Sequence, residues 1–197
     1  MDEPFRVGFV TGATPDKWAR TWRERRRDPL ELVPLGEEEQ EPAVREDRVR
    51  MVLARLPVDR DGLHCIPLYE ELPVVVASAE HVLAATGDDE EVTLADLAEE
   101  QLVLPHRSGW RPEAPQLDWP AMSASDAVET VAAGTGVVLL PMSVARLHAR
   151  RDVVRRVVAD LPSTGVGLVW RIDLDDDERV QTFIGIVRGR TVRSTRG

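Results

Sequence analysis

The side chains best suited to catalysis in this chain are few and scattered. Four histidines, His64, His81, His106 and His148, stand far apart, and none falls at the i, i+4 spacing or in the paired cluster that sets ligands around a metal ion. Cys65 is the single cysteine; it permits no internal disulfide, and it reads as a packing residue rather than a nucleophile. No Gly-x-Ser-x-Gly elbow presents an activated serine. Carboxylates abound, yet GEEEQE at 36–41 and DLDDDE at 173–178 read as solvated loops and a helix start, not as an acid–base pair. Gly134-Thr135-Gly136 invites a dinucleotide reading, but that fingerprint follows a strand, opens a helix and needs a third glycine where Leu139 stands. The order here is helix, turn, strand: Ala127, Val128, Val131 and Ala132 share a helical face, Gly134 sits at a C-cap, and 137–140 is a short apolar run closed by Pro141. Together these patterns argue against an enzyme, a metal site or a bound cofactor, and leave recognition as the chemistry to explain.

Charge narrows recognition further. The net charge of −10 opposes non-specific binding to nucleic acid, which needs a positive face to neutralise phosphates. Arg20, Arg23, Arg25, Arg26 and Arg27 cluster early, but Trp18 and Trp22 at i, i+4 face inward and leave those arginines to solvent. Arg188, Arg190, Arg193 and Arg196 lie in a tail with little apolar content, expected to be mobile. No apolar window approaches membrane-spanning length, and the first ten residues, MDEPFRVGFV, carry no signal-peptide pattern. A cytoplasmic protein without membrane contact is expected, in keeping with the one cysteine.

The elements that would position a site alternate along the chain. Residues 5–10 form a first strand, and TGATPD at 11–16 turns it into a helix, with Thr14 as N-cap, Pro15 at the first helical position and Asp16 in the first turn. Strands follow at 30–35 and 49–54, separated by an acidic, poorly defined helix at 37–48 that carries Pro42. A second alternating block has strands at 72–78 and 101–104, a short helix capped by Thr93, a Pro- and Trp-containing loop at 105–120, and the helix–turn–strand already described. A strand at 165–171 and a helix marked by Val180, Phe183, Ile184 and Val187 close the chain. The fold class is α/β, with largely parallel sheets whose ligand crevice lies beyond the strands' carboxyl ends.

Three stretches together, FVTGATPDKW, RLPVDRDGLHCIPLYEELPVVVASAEHVLA at 55–84 and VAAGTGVVLLP, resemble the effector-binding domain of LysR-type transcriptional regulators, over about residues 5 to 189. The resemblance implies a two-lobed fold of the type 2 periplasmic-binding-protein kind, each lobe a mostly parallel sheet flanked by helices, with a small effector held between lobes made of 1–72 plus 165–197 and of 73–164. Two departures stand out. The first strand begins at Phe5, leaving no room for a helix-turn-helix ahead of it, so no direct DNA binding by this chain is expected. Arg50 also stands where the family starts a strand with aspartate.

In such a fold helix N-termini converge on the ligand, and their free N–H groups favour anions. The resemblance therefore points to Thr11, Gly12, Ala13 and Thr14 at one pole and Ser123 and Ser125 at the other, with Ser123 and Asp126 spaced as a capping box. Arg55, leaving the third strand, and His106 with Arg107, leaving the strand at 101–104, take the walls, and a small carboxylate is the implied effector. On this reading Arg55 supports ligand more than core, so its removal costs the free protein little. Side-by-side pairing in the family implies a homodimer, with apolar edges around 30–35, and an alternative role is to form heterodimers with, and sequester, a full-length LysR-type regulator.

Overall fold

The computed structural model describes residues 3–87 and 89–189; the expected arginine tail beyond Arg188 lies outside them. In chain order the elements are β1 (Phe5–Val10), α1 (Asp16–Arg25), β2 (Leu30–Leu35), α2 (Gln40–Arg45), β3 (Met51–Arg55), β4 (Leu63–Glu71) and β5 (Pro73–Ser78). Then come α3 (Ala124–Ala132), β6 (Val137–Pro141), α4 (Met142–Leu147), β7 (Val153–Val157), β8 (Thr164–Arg171) and α5 (Glu178–Val187). The chain divides into two compact units, one comprising Met1–Tyr69 with Gly165–Gly197 and the other Glu70–Thr164.

The first unit is built on a five-stranded sheet in the order β2-β1-β3-β8-β4. Its β1 pairs in parallel with β2 and β3, and β3 pairs antiparallel with β8. Strand alternation sorts the side chains onto two faces. Phe5, Val7, Met51, Leu53, Leu168 and Trp170 pack against Trp18 and Trp22 of α1 and Val180, Phe183 and Ile184 of α5. Val52, Ala54 and Val169 turn to the opposite face, against Ala43 and Val44 of α2. Phe5 and Trp22 stack with ring centroids 4.8 Å apart, and Phe183 leans on both at about 6 Å. The two tryptophans of α1 are thus buried while Arg20, Arg23, Arg25 and Arg27 face solvent. The acidic helix foreseen at 37–48 is a 3-10 turn at Glu37–Glu39 running into the six-residue α2, and Pro42 falls in its first turn, where no N–H is needed.

The second unit holds a three-stranded sheet, β6-β5-β7, antiparallel at both interfaces. Alternation of strands and helices predicts a mostly parallel sheet there. Among the described residues the parallel pairings survive as single bridges, Leu102 with Val137 and Val92 with Val158. The segment expected to be a strand at 101–104 cannot extend its ladder. Val103 N–H reaches Val137 O and Val137 N–H reaches Gln101 O, but the next donor position toward β6 is Pro105, which has no N–H, and the Leu102 N–H, on the other edge, is taken by the Gln116 side chain at 2.8 Å. Val74 and Val76 pack toward α3, while Val75 and Ala77 face Leu83, Leu97 and Leu102.

The Gly-x-Gly turn lets α3 return directly into β6. Gly134 holds φ 84°, the left-handed conformation that ends a helix. Gly136 has φ 131°, and a Cβ there would lie 2.3 Å from the Gln101 carbonyl oxygen. These glycines are geometric requirements of a close chain crossing.

Candidate functional site

In the first unit the structure joins Arg55 to the turn of residues 11–14. Arg55 closes β3 and is fully buried, at 0% exposure. Its Nη2 donates to the Thr11 carbonyl at 2.7 Å, and the Glu37 carboxylate forms an ion pair with it, 2.7 Å from Nε. The backbone of Arg55 is clamped too. Gln40, 6% exposed, accepts from the Arg55 N–H at 2.9 Å through Oε1 and donates to the Arg55 carbonyl at 3.0 Å through Nε2. Its amide thus continues the strand pairing that the backbone has run out of. Arg55 therefore braces the turn from beneath and presents no surface of its own. The expectation that it supports ligand more than core is corrected: the side chain is an integral part of the fold. Glu37, from the acidic run read as solvated, is its counter-ion.

The turn itself differs from the expected cap. The Ala13 N–H bonds back to Val10 O at 3.0 Å, Gly12 adopts φ 90°, and the first carbonyl of α1 to accept helical bonds is that of Pro15. Pro15 has no side chain to cap with, and helix α1 has no side-chain cap hydrogen bond. Thr14 is exposed, and its hydroxyl bonds nothing among the described residues. Starting one residue later moves the orphan N–H groups past the reach of Thr14.

The expected residues of the second unit fall on two segments. Ser123 caps α3 in a complete box with Asp126: Ser123 Oγ accepts the Asp126 N–H at 3.1 Å and donates to its carboxylate at 2.8 Å, which also accepts the Ser123 N–H at 3.3 Å. Ser125 is exposed one turn residue on. His106 and Arg107 lie on the loop after Leu104. The His106 Nδ1 sits 2.8 Å from Ser108 Oγ, and that oxygen also accepts the Trp110 N–H. Burial, reinforced by the charge of Arg107, pushes the His106 pKa below its ordinary value.

The same loop encloses a cavity of about 200 Å³ lined by Leu102, His106, Trp110, Pro112, Leu117 and Trp119 among others. The loop residues are strapped down by two glutamines that sequence reasoning passed over. Gln101 donates to Pro115 O and accepts the Leu117 N–H, while Gln116 donates to Glu100 O and Ala114 O. Their signal was available: they are the uncharged amides at either end of a Pro-rich segment that has no regular structure to satisfy its backbone. Among the described residues no three His, Cys, Asp or Glu side chains are grouped to hold a metal, and no helix is long and apolar enough to cross a membrane.

The two α/β units have counterparts among known proteins. The family model for the LysR substrate binding domain matches residues 17–191; the chain belongs to that family. The "Probable hydrogen peroxide-inducible genes activator" of Mycobacterium avium is 28% identical over 73% of this chain, a match spanning only 50% of that protein. The Hca operon transcriptional activator HcaR of Escherichia coli K12 is 26% identical, with 98% of this chain and 70% of HcaR covered. Among solved structures, a BenM variant's effector-binding domain superposes with a TM-score of 0.79 at 20% identity, covering 98% of this chain and 96% of that one. A BenM effector-binding domain with its effector benzoate gives 0.77 at 21% identity, covering 95% of this chain and 94% of that one. The regulatory domain of Pseudomonas aeruginosa OxyR, as a C199D mutant, gives 0.72 at 20% identity, with 98% and 100% covered. The fold is accordingly that of the LysR effector-binding domains, of the type 2 periplasmic-binding-protein kind.

Proposed function

We propose that this chain binds a small carboxylate as an effector. The first unit offers the turn at Thr11, Gly12, Ala13 and Thr14, with Arg55 holding it in place; the second unit offers Arg107 and Ser125, while the Ser123 hydroxyl and N–H are held by Asp126 and His106 lines the cavity of the loop. The observation that carries the reading is the braced turn. A buried guanidinium fixes the Thr11 carbonyl inward, and the helix that follows has no side-chain cap over its first N–H groups. An uncapped helix start with exposed edges favours an anion through its N–H groups and its dipole. Family membership, together with a related domain that has benzoate as its effector, supports a small-molecule ligand.

Thermal shift against a panel of carboxylates, benzoate included, tests this. At a ligand concentration a hundredfold above Kd the gain is about 2.7 kcal/mol, or roughly 5–10 °C for a chain of this size. Thr14→Glu places a negative charge at the exposed helix start, where the dipole tolerates it, and should abolish the shift without lowering the Tm of the free protein. A full shift in Thr14→Glu would remove the turn from the site.

A second reading concerns assembly, favoured by one observation: β2 is an edge of its sheet, with Leu30, Leu32 and Val33 only half-buried. We assign this edge to a homodimer contact, which a full-length LysR-type regulator could also use to form a heterodimer. Light scattering that gave a clean monomer at high micromolar concentration would dismiss the homodimer.

A further inference from the structure

We propose that the cavity beneath the loop at 105–119 is a binding site in its own right, taking a planar single-ring molecule that carries a hydrogen-bond acceptor, which meets the His106 Nε2–H. The cavity is made wholly from residues of the second unit and owes nothing to the turn at 11–14.

Size and lining set the class of ligand. About 200 Å³ is somewhat larger than the cavity of about 150 Å³ that holds a benzene molecule in an engineered apolar core, so one substituted ring fits. Leu102 and Pro112 are buried, and the indoles of Trp110 and Trp119 are half-buried, while the exposed Arg111 and Asp118 line the same cavity and leave it a polar side. Such walls offer flat π faces and aliphatic edges to a ring. The space is preformed. Gln101 and Gln116 tie the loop to Glu100, Leu102, Ala114, Pro115 and Leu117, and the N–H groups of Glu113 and Ala114 both reach Ala98 O. A ligand therefore meets walls already in place, which lowers the ordering cost of binding.

The polar handle follows from the hydrogen bonds around His106. Ser108 Oγ accepts the Trp110 N–H at 3.2 Å, and the Ser108 N–H points to His106 Nδ1 at 3.3 Å. The hydroxyl is thus placed to donate to Nδ1, 2.8 Å away. Nδ1 is the acceptor, the proton rests on Nε2, and burial with Arg107 nearby keeps the ring neutral. Nε2–H has no partner among the described residues.

Benzamide, neutral and with a carbonyl acceptor, is the probe, and toluene its control without an acceptor. Indole N–H resonances assigned by Trp→Phe substitution report the site, since five tryptophans are spread through the chain. Titration should shift Trp110 and Trp119 saturably and leave Trp18, Trp22 and Trp170 in place. Toluene should bind about tenfold more weakly, and His106→Phe, which keeps a ring and loses the donor, should weaken benzamide by a similar factor. Thr14→Glu should leave benzamide binding unchanged, which separates this site from the carboxylate site. Should His106→Phe fail to fold, intermolecular NOEs from benzamide to Leu102 and Pro112 in the wild type decide the matter. No saturable shift up to the solubility limit, missing NOEs, or equal affinity for benzamide and toluene would overturn the proposal.

Discussion

Helix α1 begins with no side chain over its first turn, whereas helix α3 begins inside a closed box of Ser123 and Asp126. The two starts have similar local sequence, a hydroxyl residue followed by an aspartate within three positions. At α3 the Asp126 carboxylate accepts from both the N–H and the hydroxyl of Ser123, so the place an anion would take is already filled by one. At α1 Asp16 lies exposed in the first turn and takes no backbone N–H among the described residues. The difference teaches that an anion-favouring helix end needs an empty cap as well as a dipole. It also needs rigidity from elsewhere, and at α1 that comes from Arg55 beneath the turn.

The largest effect expected from breaking this comparison is Arg55→Ala. It leaves the Thr11 carbonyl without its donor and a void where a fully buried side chain stood, and truncating a large buried side chain to alanine costs about 3 kcal/mol. Thermal melting should fall by roughly 6–12 °C. A loss under 2 °C would show that the guanidinium braces nothing.

Next in size are the caps themselves. Ser123→Ala removes the Oγ that accepts the Asp126 N–H and should cost about 1 kcal/mol. Thr14→Val, although Thr14 reads from sequence as the N-cap of α1, should stay within about 0.5 kcal/mol, as for a surface change away from any such feature. Equal losses in urea unfolding would restore Thr14 as a cap. Asp126→Asn adds a sharper arm: with the negative charge gone, the α3 start should gain affinity for carboxylates, read as a larger ligand-induced thermal shift than in wild type.

These residues mark how far the sequence could be read. The strands at Phe5–Val10 and Leu30–Leu35, the inward tryptophans of α1, the Ser123 box and the glycine turn after α3 were legible because each is a local matter of periodicity, capping or backbone angle. β4, β7 and α4 were passed over: IPLYEE and VVRRV lack clean alternation, and α4 spans only six residues directly after β6. The antiparallel second sheet was out of reach for another reason. Its β5 follows β4 across the single residue Leu72, and strand direction is set by how the chain enters the unit, which no local pattern records. Arg55 was located correctly at the end of its strand, but its burial depends on Glu37 and Gln40, residues that become neighbours only when α2 folds over the sheet.

The smallest effect tests whether the Ser/Thr-x-x-Asp box is a general device of this chain. Thr93 and Asp96 repeat it: Asp96 Oδ2 accepts the Thr93 N–H and the Thr93 hydroxyl, each at 2.8 Å. These bonds, the backbone one foremost, hold the Asp96 carboxyl below the usual carboxylate range despite a small opposing effect of burial. Because the folded pKa lies below the unfolded value of about 3.9, the box stabilises the fold above that pH and ceases to do so as pH falls through the folded value. A carbon-detected NMR titration should therefore find Asp96 still ionised near pH 4, when an unbonded aspartate is about half protonated. Thr93→Val removes the hydroxyl donor and keeps the backbone N–H, so the Asp96 titration should move only part of the way back toward the ordinary value. Complete return would assign the whole depression to the hydroxyl, and no movement would assign it to the backbone alone. An Asp96 that titrates at the ordinary value in the wild type would show that the box does not persist in solution.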